Sequence, residues 1–204
     1  MYRTASLATG LLYLLTIVTS IPALALKAPA LADPGAEGAR TALQWAAVLE
    51  IALALACIGT AVAIYPALRS LHPTRALGFV AARTLEAGLV MLGVVAMLSV
   101  TAAREAALVA VHDWAFLLGP GLIPAVNAAL LGSALHRARL VPRAIPVVGL
   151  IGAPLLAVSA GLTLFGLVPQ VSPVAGLLAL PIVLWELGLG LWLTFRGLRA
   201  HPVA

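Results

Sequence analysis

Residues 78–100 read GFVAARTLEAGLVMLGVVAMLSV, and this stretch decides the fold. A helix needs about 20 apolar residues to cross the hydrocarbon of a bilayer, and this run supplies them without a proline. Inside it stand Arg83 and Glu86, three residues apart. An arginine or an acid at the centre of a membrane helix costs about 2.5–3.5 kcal/mol on the insertion scale. Spacing of i to i+3 puts the two on one helical face, within mutual reach. Such a helix is expected to turn its charges toward other protein segments and its remaining faces toward lipid.

Composition extends that reading to the whole chain. Of its 204 residues 63% are hydrophobic and 9% charged, where soluble domains run at about 45–50% and about 25%. A soluble fold of this length cannot hide so much apolar surface, so the chain reads as an integral membrane protein. The net charge of +5 invites a nucleic-acid partner, but the basic residues are scattered in short loops without a basic helix face or interleaved aromatics. No nucleic acid is expected. The preference for Arg over Lys, with Ala and Leu dominant, has the look of a GC-rich bacterial genome, and the expected location is the bacterial cytoplasmic (inner) membrane. Cys57 is the single cysteine; no internal disulfide and no CxxC or mixed Cys/His cluster is available, so neither metal nor cofactor is expected.

Six segments are long and apolar enough to span: roughly 5–26, 43–65, 78–100, 114–135, 145–168 and 174–195. The expected fold is therefore all-α, a single transmembrane domain over 1–204. The breaks are KAPALADPGAEGART, PALRSLHPTRAL, TAAREAALVAVHD, HRARLVPR and PQVSP. One side of these breaks collects Arg3, Arg69, Arg75, Arg137, Arg139, Arg143, Arg196 and Arg199, the other Lys27, Arg40 and Arg104. Eight against three predicts both termini in the cytoplasm. The basic start and A-x-A sites of the first segment resemble a signal peptide, but its apolar run is longer than the usual one, and an uncleaved first helix is expected.

The polar residues within the spans carry whatever function the sequence shows. Counted from the presumed cytoplasmic helix ends, Arg83 lies roughly 8 Å deep, Glu86 about 12 Å, Asn127 about 14 Å and Glu186 about 15 Å. Glu50 lies higher, at roughly 22 Å. Three acids sharing one base would leave surplus negative charge in a low dielectric, a situation relieved by a proton on one of them. Either these groups tie helices together or they line a ligand or ion site. Helix one adds a polar stripe, Ser6, Thr9, Tyr13, Thr16 and Ser20, read as interhelical hydrogen bonding or the wall of a wet cavity. Helix five has Gly149, Ala153, Ala157 and Gly161 at every fourth position, a close-packing pattern. In helix four, Gly119-Pro120-Gly121 and Pro124 precede Asn127 and predict a kink or unwinding. An E-x-G-L echo, at Glu86 and again at Glu186, hints at an inverted repeat. His72, His112, His136 and His201 fall in loops or at helix ends and read as solvated; Trp45 and Trp114 read as interfacial anchors.

Four stretches carry a resemblance. ASLATGLLYLLTIV at 5–18, ARTLEA at 82–87, RLVPRAIPVVGLIGAPLL at 139–156 and WELGLGLWLTFRGLR at 185–199 are similar to a bacterial six-helix membrane family, the domain of unknown function 4386. R-x-x-E and R-L-x-P-R are its most specific elements. The resemblance implies a six-helix bundle and no established activity. The functional expectation is a protein, more a binder or transporter than an enzyme, that takes a small or lipophilic molecule, with a proton on Glu86 or Glu186 as the coupled ion. The rivals are a structural or accessory subunit, in a homo-oligomer or beside another membrane protein, and an intramembrane enzyme acting on lipid. Arg83, Glu86, Asn127, Glu186 and Glu50 are the candidate ligand-binding or proton-handling residues, and no catalytic residue is assigned.

Overall fold

The structure is a computed structural model, and it describes residues 3–103 and 105–199. These residues form α1 (Arg3–Ala32), α2 (Ala39–Arg69), α3 (Pro73–Ala103), α4 (Ala106–Leu118), α5 (Ile123–Asn127), α6 (Ser133–Ala138), α7 (Ala144–Leu164) and α8 (Pro173–Phe195), with one π-helical turn, Ala128–Gly132, between α5 and α6. Among the described residues six segments can cross a membrane, the fourth being the composite Ala106–Ala138. The all-helical, six-span expectation holds. α1, α2 and α3 are 30 or 31 residues long, more than the hydrocarbon requires, so they project beyond it or tilt within it.

Local sequence explains where the helices stop and start. Pro73 opens α3 and Pro173 opens α8, the first-turn position where a missing N–H costs nothing. Ser172 caps α8 by accepting from the Ala175 N–H at 3.3 Å. Arg139 closes α6 in the left-handed region at φ 52°. The following Leu140 and Val141 are buried, and the Leu140 carbonyl accepts from Arg199 N–H at 2.8 Å. The R-L-x-P-R turn is thus a latch onto the C-terminal end of α8.

The spans close into a ring in which each packs on its sequence neighbours and α8 returns to α1. α1 and α8 run antiparallel. Gly10 faces Thr194 so closely that a Cβ there would lie 2.5 Å from the Thr194 nitrogen, and Gly190 takes Tyr13 and Leu14. The Leu198 N–H donates to Ser6 Oγ at 3.1 Å, so both ends of the described chain share one end of the bundle. The interior of that end is filled by Tyr13, Phe79, Leu131, Leu135, Trp185, Leu189 and Leu193.

Three expectations change. The first break opens later than predicted, because α1 runs on to Ala32 and carries Lys27 into the interior. Lys27 leaves the loop tally, and Arg104 lies outside the described residues. TAAREAALVAVHD is mostly helical, since α4 begins at Ala106; its alanine-rich stretch favours helix despite its charges. Finally, the small-residue row of α7 packs only over its first half. Gly149 sits under the Trp185 ring and Gly152 against Ile182, whereas Ala157 is exposed and Gly161 faces open space. The helix–helix contact there rotates onto Gly149, Gly152, Ala153 and Leu156.

Candidate functional site

Arg83 is 1% exposed at the centre of the ring. Its Nη1 donates to Glu86 Oε2 and its Nη2 to Glu186 Oε1, each at 3.0 Å. Asn127 Nδ2 donates to the same Glu86 oxygen at 2.7 Å, and Cys57 Sγ lies 3.5 Å from Nη1. The guanidinium also rides over Tyr13, 5.0 Å from the ring centre, and Phe79 at 5.8 Å, an arrangement that favours a cation. Four of the five predicted residues therefore meet, drawn from α3, α5 and α8.

The predicted break in the fourth span places Asn127. Residues 119–122 form a turn between α4 and α5, and Pro124 sits at the start of α5, where its absent N–H is tolerated. The π turn at Ala128–Gly132 follows at once; such turns rotate the helix face and recur at functional sites.

Glu50 does not join this layer, which corrects the grouping of three acids on one base. It pairs with Lys27 of α1, both side chains nearly inaccessible, and Lys27 Nζ lies 4.0 Å from the centre of the Phe116 ring. The sequence missed this partner because Lys27 sits within KAPALADPGAEGART, which reads as a loop. Its signal was the helical continuity of LALKAPALA. Next to this pair, His112 is buried, stacks on Phe116 at 6.1 Å and has Nδ1 3.0 Å from Asp113 Oδ1; the solvated reading of His112 is wrong, since α4 begins before it. His136 is partly buried in the last turn of α6, and His201 lies outside the described residues. His72, in the turn before α3, is held below the usual imidazole range by burial and then by Arg75 and Arg137.

The polar stripe of α1 faces inward, but Thr9, Thr16 and Ser20 donate to carbonyls of their own helix. Ser6 Oγ accepts from the Leu198 N–H, just past the end of α8. Thr16 and Ser20 line a cavity of about 160 Å³ together with Arg83, Glu86 and Glu186 among apolar Leu53, Leu156 and Ile182. It shares Pro120, Leu156 and Ala179 with a second cavity of about 240 Å³, which in turn shares Leu24, Phe116, Gln170 and Val171 with a third of about 360 Å³ beside Lys27 and His112. Three cavities with shared walls thus outline an apolar groove from the Arg83 cluster toward Lys27.

Fold and site together define a class: a multi-pass helical membrane protein with an ionic network buried between its spans. Within that class the chain belongs to the family described as Domain of unknown function (DUF4386), whose model matches residues 8–197. Comparisons with curated proteins and with solved structures return no match.

Proposed function

We propose that this protein binds, and carries between the two membrane faces, a small lipophilic molecule that sits in the cavity over Arg83, Glu86 and Glu186. The observation that carries this reading is the cavity itself: apolar walls converge on an ionic floor, the combination by which membrane-embedded sites hold amphiphiles. Glu86 accepts two donors on one oxygen and is held in place by them. Glu186 accepts one and keeps 15% of its side chain accessible, which makes it the group that exchanges a proton. The arginines favour an orientation with both termini in the cytoplasm, and residue usage favours a bacterial inner membrane.

A second reading has its own support. The Arg83 network ties α3, α5 and α8 together, which is what an accessory subunit would need from polar packing. Mass spectrometry of protein purified in native lipid discs separates the two. Under the binding reading, a lipophilic compound is enriched over bulk lipid and lost when Ala179→Leu fills the cavity. Equal retention by both proteins, or none by either, would leave the packing role.

A further inference from the structure

The charge count of the site specifies which amphiphile fits, an inference that rests on the binding reading above. One guanidinium faces two carboxyls, Glu86 and Glu186, while Lys27 and Glu50 balance one another at the far end of the groove. Ionised, the Arg83 cluster carries one surplus negative charge in a low-dielectric interior, where an uncompensated charge is costly. No other charged side chain faces Glu186 among the described residues: α3 contributes Arg83 and Glu86, α1 Tyr13, α2 Cys57 and α5 the neutral Asn127, and the cavity residue from α7 is Leu156. An anionic ligand would meet two carboxyls, to which Nη1 and Nη2 of Arg83 already donate at 3.0 Å, and would have the buried Nε as the unpartnered nitrogen of the guanidinium.

The route into the cavity is lateral. α1 and α8 touch at Gly10 and Gly190; beyond that crossing, Thr16, Ile17, Ser20 and Ile21 of α1 and Ala179, Ile182, Val183 and Glu186 of α8 stand on either side of the cavity. Ile21 and Val183, at its rim, are 60% and 40% exposed on the lipid-facing surface. The groove toward Phe116 and Gln170 leaves room for an apolar chain.

We propose that the ligand is a lipophilic cation, an alkylammonium or similar amphiphile, that enters from the bilayer between α1 and α8 and exchanges with a proton on Glu186. With the site empty, Glu186 is a neutral carboxylic acid. When the cation arrives, the O–H proton leaves to water, the carboxylate forms, and the positive headgroup takes over the compensation. Binding and protonation are mutually exclusive, the minimal element of proton–cation exchange.

The test uses three probes of equal chain length, decyltrimethylammonium, decanol and decyl sulfate, on the protein in neutral-lipid nanodiscs. Calorimetry reads saturable binding, and an indicator dye in weak buffer reads proton release. The proposal expects decyltrimethylammonium to bind at least tenfold more tightly than the other two and to release about one proton per site at neutral pH; Glu186→Gln, with unchanged elution and melting, must lose both the preference and the release. Should Glu186→Gln fail to fold, Ala179→Leu, which leaves the charges intact, must abolish cation binding and proton release. Tight decanol or decyl sulfate binding without charge preference would overturn the cation assignment and leave the binding reading standing. Saturable binding of none of the three would overturn both.

Discussion

Arg83 and Glu186, 103 residues apart in sequence, meet at 3.0 Å between α3 and α8. Because Arg83 also holds Glu86, one side chain ties together two elements of the ring, and its loss leaves Glu86 buried without a counter-ion.

Arg83→Ala is therefore expected to be severely destabilising, by about 3–5 kcal/mol as for other broken buried pairs. The double variant Arg83→Ala with Glu86→Ala should recover part of that loss, since only the neutral acid of Glu186 then remains of the cluster. Thermal melts in detergent with size-exclusion detection measure both. Identical losses in the single and the double would contradict the pairing.

Lys27 and Glu50 form a balanced pair, so they behave differently. Lys27→Met strands Glu50 and should cost about 3–5 kcal/mol, whereas Lys27→Met with Glu50→Leu should be near neutral or stabilising. A double variant as unstable as the single would show that Glu50 serves another partner.

The α1–α8 crossing depends on absent side chains. Gly10→Ala puts a methyl against the Thr194 backbone, which α8 must move to accommodate, and overpacking of this kind costs about 1–3 kcal/mol. Gly161→Ala meets nothing within 4 Å and should be neutral or slightly stabilising. Comparable melting temperatures for the two variants would argue against the crossing.

Orientation is open to labelling. Cys57 is 1% exposed and should resist an impermeant maleimide in the folded protein. In a Cys57→Ala background, Ser70→Cys should label only after the cells are opened, and Gly35→Cys in intact spheroplasts. The reverse pattern would place the termini outside.

His72 contributes a pH dependence with a definite sign. Its imidazole titrates below the usual range when folded, while the unfolded chain takes up a proton near the reference value of about 6.5. Below that pH the unfolded state binds more protons, so stability falls on acidification. His72→Gln should flatten the melting-temperature profile between pH 7 and pH 5; an unchanged slope would show that the effect lies elsewhere.

The amino-acid sequence by itself determined the solvent, the number of spans, the meeting of Arg83 with Glu86 and the break before Asn127. Each follows from local quantities: the length of apolar runs, an i to i+3 spacing, and prolines that cannot donate. It could not assign Glu50, because the partner, Lys27, lay in a stretch whose prolines and small residues read as a loop until helix packing carried it inside. His112 was misplaced for the same reason, a helix that began before its charges ended. That Glu186 joins Arg83, and that α7 packs on Gly152 rather than Gly161, were decided only by the closure of the ring. Apolar runs in lipid are nearly interchangeable in hydrophobic energy, so the order and rotation of the spans come from close fits and buried charge pairs, which exist only once distant segments meet.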